Sequence, residues 1–344
     1  MTTLIIGDGP AGAAAAHVCL DAVVLPADEQ GGVGGGGRME TRSHDGATYD
    51  IGTTCLRDRG DERSTLVREL LGADCVAFEG RIEAFGTGDE PAHPRTTHAR
   101  LTGRHGIEQV PEQLLAARHC DHRPDASVER LERTDDGWRA HTDAGTIDAQ
   151  RVVMATGAER TAALLADDPL APGLELAAQR VDHRTVDSVV LGYDHAVDRE
   201  WYALAADGEP HDVRWLSRES AKPGRVPAGQ EALVVRLGDD WASAHDPGAA
   251  VDRACEAAAT LLDDDRLADP SWTDHERYRY AAPYNRPDPT LAEDAAAADC
   301  YLAGDWVAGT DRTFAPLETG LDAGRRAMDF ARQARLQRDG PLEG

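Results

Sequence analysis

TTLIIGDGPAG, residues 2–12, decides the fold class. A short apolar run ends on Gly7, and Gly7, Gly9 and Gly12 follow in a GxGxxG spacing. The alanine-rich stretch beyond them reads as a helix from about 10 to 20. Glycines at that spacing allow a tight turn and let a pyrophosphate approach the helix N-terminus, where unpaired backbone N–H groups attract anions. Gly7, Gly9, Pro10, Ala11 and Gly12 are therefore the first candidate residues for binding a dinucleotide. AVVL at 22–25 reads as the next strand. An acid should follow it to bond a ribose hydroxyl. Asp28 and Glu29 both stand there, and the spacing does not choose between them.

Outward from this unit, GGVGGGG at 31–37 is too rich in glycine for a helix or strand and reads as a loop. Helices are expected at 64–71, 109–118, 248–262 and 317–336. Strands are expected at 127–134, 137–142, 151–156 and 300–305, with further strand-like runs, SVVLGY and ALVVRL among them, over 181–241. Strand–helix–strand at the start and strand–helix at the end predict an α/β fold: a Rossmann-type domain built from both chain ends, with an inserted α+β substrate domain. The expected division gives residues 1–75, 120–160 and 285–336 to the first domain and 76–119 and 161–284 to the second. A chain of 344 residues exceeds what one core usually serves, which also favours two domains.

GGRMETRSHDGATYDIG (36–52) adds paired glycines, an arginine and a hairpin pattern ending in YDIG. GDGPAG, then GGRM, then YDIG in this order resembles the amine oxidase superfamily of flavoproteins, and especially its renalase-like branch. The resemblance implies an FAD-dependent oxidoreductase. It implies that Gly36, Gly37 and Arg38, with Met39 beside them, lie along the pyrophosphate and isoalloxazine of FAD. Val128 would meet the adenine through its backbone. YLAGDWVAGTDRTFAPLETGLDAGRRA (301–327) resembles the closing motif of the same superfamily. There Gly304 and Asp305 would meet the ribityl chain, and Gly320 and Leu321 would open the final helix. The chain departs from the pattern in the extra glycines at 31–35, in Thr319 for the usual serine, in Thr313 where glutamate is common, and in TTCL after YDIG.

The middle of the chain resembles the renalase-like branch in GRHGIEQVPEQLLA (103–116), RWLSRESAKPGR (214–225) and HERYRYAAP (275–283). Trp215, Lys222 and Tyr280 are accordingly the substrate candidates. Lys222 would hold an anionic substrate group or orient a water near the flavin. Many amine oxidases carry a lysine opposite the flavin on the first long strand of the substrate domain; QRVDHRTVDSVVLGYD (179–194) has none. An aromatic cage is not assignable, although Trp215, Trp241, Tyr278 and Tyr280 are candidates for one. The resemblance implies hydride transfer from a small substrate such as an isomeric dihydronicotinamide dinucleotide, with oxygen as electron acceptor. The alternatives are an amine oxidase or isoprenoid desaturase of the same superfamily, and a non-catalytic flavin-binding redox module.

Composition narrows the setting. Asp and Glu number 62 against 36 Lys plus Arg, a formal net charge of -26, and Lys222 is the only lysine. The acids are spread along the chain, which fits a whole acidic surface better than a tail. Such a surface repels itself at low salt, and molar salt shortens the screening length to about 3 Å, so a salt-loving source is expected. Nucleic acid, which needs a basic surface, is disfavoured as a partner. No run of about 18 apolar residues and no basic leader with a cleavage site is present, so a cytoplasmic enzyme is expected. The six cysteines are scattered, with no CxxC pair and no zinc spacing; neither a disulfide framework nor a metal is expected.

Overall fold

The computed structural model describes residues 2–27, 38–86, 94–96, 98–117, 120–166, 172–207, 211–288, 290–310 and 313–338. The chain divides into two units, each assembled from separated stretches: residues 1–37, 111–182 and 282–344 in the first, 38–110 and 183–281 in the second.

The first unit is built on a five-stranded sheet in the order Asp121–His122, Ala22–Leu25, Thr3–Ile6, Arg151–Met154, Cys300–Leu302, and every pairing in it is parallel. Its central strands are apolar at almost every position because both faces are covered. Leu4, Ile6, Val23, Leu25, Val152 and Met154 face one core, shared with Trp138, Leu164, Leu165 and Trp306. Ile5, Val24, Val153 and Tyr301 face the other, against Ala11, Ala15 and Ala16 of helix Pro10–Val18 and Ala323 and Ala327 of helix Ala315–Arg338. A three-stranded antiparallel meander, Val128–Thr134, Gly137–Thr142 and Gly145–Ala149, covers part of the first face. This is the mixed α/β fold expected from the sequence.

The second unit carries a seven-stranded sheet in the order Trp272–Pro283, His183–Tyr193, Glu231–Leu237, Val213–Arg218, Ala203–Ala206, Ile82–Phe85, Pro94–Thr96. The alternation of its strands separates two faces. Val189, Leu191, Leu216, Leu233 and Val235 pack under Ala254, Ala258 and Leu262 of helix Ala250–Leu262. On the opposite face Val190, Ala232 and Val234 meet Tyr49 and Ile51, and Ala203 meets Cys55, Phe78 and Tyr202.

The units differ from the expected domains at 38–75, 111–119, 161–182 and 282–284, and the two longest of these stretches have a packing reason. Residues 38–75 fall in the second unit, because Tyr49 and Ile51 pack on its sheet and the Ser188 hydroxyl donates to the Ile51 carbonyl at 2.5 Å. Residues 161–182 fall in the first, because Leu164, Leu165, Leu174 and Ala178 bury their side chains in its core. Among the described residues no helix is long and apolar enough to cross a membrane, and no group of three or more His, Cys, Asp or Glu is placed to hold a metal ion.

Candidate functional site

The GxGxxG turn of the first unit is a cradle that only glycine permits. A Cβ on Gly12 would lie 1.7 Å from the Gly7 carbonyl oxygen. The turn is anchored by the Gly7 N–H, which donates to the Leu25 carbonyl at 2.8 Å. Gly9 caps helix Pro10–Val18 with no side-chain hydrogen bond, Pro10 begins it, and its first turn carries no acid. The helix N-terminus thus keeps its N–H groups and its positive end unclaimed by a capping side chain, as a pyrophosphate site requires. Asp8 lies inside this turn, with Oδ2 3.3 Å from His122 Nε2.

Beside Val128, expected at the adenine, stands a residue that sequence reading missed. Arg160 donates through Nε to the Ala27 carbonyl at 3.0 Å and through Nη2 to the Val128 carbonyl. It therefore ties the residue preceding the candidate ribose acids to Val128, which is fully buried at the start of its strand. Only the three-dimensional fold brings these carbonyls together; an arginine in a helix gives no such sign in sequence. Asp28, Glu29, Gly36 and Gly37 lie outside the described residues.

The chain's other end completes the same unit. Gly304 precedes a one-turn helix, Asp305–Ala308, and the buried Asp305 accepts the Trp306 N–H at 3.0 Å. The Trp306 indole donates to the Thr156 carbonyl at 2.9 Å, joining this turn to the ATG that follows strand Arg151–Met154. Thr319 fills the place expected of a serine. Its hydroxyl accepts the Gly304 N–H at 2.9 Å and lies 2.9 Å from the Ala315 carbonyl, one turn earlier in its own helix. Gly320 lets that helix touch helix Pro10–Val18: a Cβ there would sit 2.1 Å from the Ala11 carbonyl oxygen. Leu321, the next residue, is half-buried. The first unit therefore brings Ala11 of the helix that follows the glycine turn against Gly320, with Gly304 tied in through Thr319.

In the second unit, Arg38 and Met39 open the hairpin Thr41–His44/Ala47–Asp50. Arg38 donates from Nη1 to the Ala281 carbonyl at 2.5 Å, its own carbonyl accepts the Thr53 N–H at 2.6 Å, and Met39 is buried. Asp50, the acid of YDIG, is the hub of a fully buried ion cluster. Its Oδ2 takes Lys222 Nζ at 2.8 Å and Arg225 Nη2 at 3.1 Å; its Oδ1 takes Thr41 Oγ1 at 2.8 Å and the Ile107 N–H at 2.9 Å. Burial opposes ionisation of Asp50, but Lys222 and Arg225 outweigh it and hold the carboxyl below its usual range. The other partner of Lys222 is Glu219, with Oε1 at 2.6 Å and Oε2 at 2.8 Å. Burial, helped by the nearby charge of Asp50, pushes Glu219 up to about 7 against the pull of Lys222 and Arg225.

The remaining candidates separate by face. Trp215 lies on the sheet face that meets Cys55, Phe78 and Tyr202, with its ring 6.1 Å from that of Tyr202. Tyr278 donates to Glu40 Oε2 at 3.2 Å. Tyr280 is 48% exposed, edge-on to His183 at 5.6 Å. Trp241 belongs to the other face, buried against helix Ala250–Leu262 and stacked on His245 at 4.5 Å. Lys222 is inside the fold, with its ammonium on two carboxylates of its own unit.

A family model described as flavin-containing amine oxidoreductase matches residues 73–327, more than half of the 344. The chain belongs to the flavin-containing amine oxidoreductase family. It is an FAD-dependent oxidoreductase, and the glycine cradle with its uncapped helix N-terminus fits that cofactor. Solved structures give the fold the same neighbours. A protein provisionally assigned as a protoporphyrinogen oxidase, from Exiguobacterium sp. 255-15, is similar at 15% identity over 98% of this chain and 99% of its own, with a TM-score of 0.74. Cyclohexylamine oxidase from Brevibacterium oxydans IH-35A is similar at 15% identity over 97% and 99%, with a TM-score of 0.71. A reduced UDP-galactopyranose mutase is similar at 10% identity over 97% and 94%, with a TM-score of 0.73. Identities this low establish architecture, and the mutase among them marks how far the chemistry on that architecture ranges. A search of curated protein sequences found no match.

Proposed function

We propose that this family member is an oxidase of the renalase-like kind, acting on an isomeric dihydronicotinamide dinucleotide rather than on a simple amine. One observation carries the reading: the chain has a single lysine, and that lysine is bonded to Asp50 and Glu219 inside the second unit. The lysine that many amine oxidases place on the first long substrate-domain strand has no counterpart on His183–Tyr193. RWLSRESAKPGR and HERYRYAAP support the same branch. Bound FAD would supply hydride acceptance and return of two electrons to oxygen, for a net conversion of dihydronicotinamide, oxygen and one proton into nicotinamide cation and hydrogen peroxide. The protein's part is to bind and orient the donor ring, with Trp215 and Tyr280 as contacts, while Gly304 and Asp305 hold the cofactor. A cytoplasmic location accords with six free cysteines.

Anaerobic rapid mixing tests the reading. Isomeric dihydronicotinamide dinucleotides should bleach the visible flavin absorbance in a single reductive half-reaction, and a panel of primary and secondary amines should not. Bleaching by amines alone would overturn the substrate assignment and return the chain to amine oxidation.

A further inference from the structure

We propose that Arg236 and Trp215 form a donor pair that receives an oxygen acceptor of the substrate, a carboxylate or carboxamide oxygen, and that this pair turns protonated amines away. The proposal deepens the substrate reading above but rests on separate observations.

Arg236 and Trp215 are register partners on adjacent strands, Glu231–Leu237 and Val213–Arg218. Partners directly opposite each other point to the same face of a sheet. That face is the one carrying Tyr202, Cys55 and the YDIG loop, because Arg236 Nη2 donates to the Gly52 carbonyl and Trp215 packs with Tyr202. Among the described residues, that carbonyl is the only acceptor Arg236 bonds. Among the described residues no carboxylate pairs with it. The carboxylate whose field reaches it, Glu219, is held by Lys222. Burial disfavours its charge, consistent with a guanidinium set into the protein without a counterion. The cluster at Asp50 shows the opposite arrangement: there Lys222 and Arg225 are matched by Asp50 and Glu219.

The Trp215 indole nitrogen is the second observation. It is buried and has no hydrogen-bond partner. Ser217, two residues along the strand and on the same face, has a buried hydroxyl that also lacks one. An indole N–H can only donate, and a guanidinium offers five donors and no acceptor. Unmet buried donors are costly, and a half-buried cation with no counterion, as Arg236 is, adds to that cost. A ligand oxygen within reach of both would relieve them together. A carboxylate would also neutralise Arg236, and a carboxamide oxygen would accept from both donors without adding charge. A protonated amine offers no acceptor and meets a like charge, so the same pair selects against it. Sequence gave no sign of this role for Arg236, one arginine among many in a chain that has almost no lysine.

The test uses holoprotein and three ring probes of similar size: benzoate, benzamide and benzylamine. Binding is read from the perturbation of the flavin's visible spectrum. Benzoate and benzamide should bind, and benzylamine should bind at least tenfold more weakly than benzoate. Arg236→Gln should weaken benzoate about tenfold or more, the effect of one charge-assisted contact, and should weaken benzamide less. Arg236→Lys should restore part of the benzoate affinity. Trp215→Phe keeps the ring and removes only the N–H, so it covers the case in which Arg236→Gln does not fold; it should weaken both oxygen probes severalfold. Benzylamine binding as tightly as benzoate, or benzoate binding unchanged in both Arg236→Gln and Trp215→Phe, would overturn the proposal. If the probes behave as stated while dihydronicotinamides fail to bleach the flavin, the donor pair stands and the dinucleotide reading falls.

Discussion

Replacing Lys222 with methionine separates a structural lysine from a substrate-binding one. The change keeps length and removes the ammonium that joins Asp50 at 2.8 Å to Glu219 at 2.6 Å. Asp50 retains Arg225 at 3.1 Å, so its charge remains compensated. Glu219 loses its bonded cation. Removing one member of a buried ion pair costs about 3–5 kcal/mol, and here the cost should vary with pH. Glu219 in the parent protein titrates at about 7, raised by burial from 4.5. A carboxyl raised in this way stabilises fully below its unfolded pKa, and that contribution is lost as pH rises through the folded value. Above pH 7 the parent therefore shows no further change from this group. The variant's Glu219, without Lys222, must keep its proton to higher pH, and each further unit costs about 1.4 kcal/mol. Denaturant unfolding followed by circular dichroism at pH 6, 7 and 8 should show a gap between parent and variant that widens above 7. A loss below about 1 kcal/mol, or a gap that does not change from pH 6 to 8, would refute the reasoning. A raised KM with unchanged stability would make Lys222 a substrate contact instead.

Three further outcomes follow from the first unit and from the charge. Gly320→Ala forces a Cβ to 2.1 Å from the Ala11 carbonyl, so the two helices must part; overpacking of this kind costs about 1–3 kcal/mol, and the FAD dissociation constant measured by flavin fluorescence should rise. Thr319→Val deprives the Gly304 N–H of its acceptor at 2.9 Å and should cost roughly 1–3 kcal/mol in thermal stability, whereas Thr319→Ser should be nearly neutral; equal effects of the two would discount the hydroxyl. With a net charge of -26, the thermal midpoint should climb from low to molar salt as self-repulsion is screened, and a flat or falling midpoint would remove the case for a salt-loving source.

The nucleotide-binding end was legible because its signals are local. The strand, the GxGxxG turn and the helix lie within Thr3–Val18, and each is specified by neighbours in sequence. The final helix, expected at 317–336, runs Ala315–Arg338. Two kinds of feature were not legible. The membership of residues 38–75 depends on Tyr49 and Ile51 finding Val190 and Val234, a pairing that no periodicity encodes. The environment of Lys222 depends on Asp50, which is 172 residues away. Arg160 and Arg236 escaped notice for the same reason, since their partners are backbone carbonyls, which leave no residue-type signature.

The contact between Gly320 and Ala11 also sets a timetable. Gly12 is made early, and Gly320 follows roughly 300 residues later. At about 5–20 residues per second, the glycine turn waits on the order of 15–60 s for the helix that covers it. During that interval helix Pro10–Val18 has no Ala315–Arg338 to pack on, and the apolar face formed by Ile5, Val24 and Val153 keeps only Ala11, Ala15 and Ala16 of helix Pro10–Val18 as cover. The contact between Gly320 and Ala11 cannot form before helix Ala315–Arg338 is made, so a chain cut short before residue 315 should be a product that neither retains flavin nor escapes proteolysis.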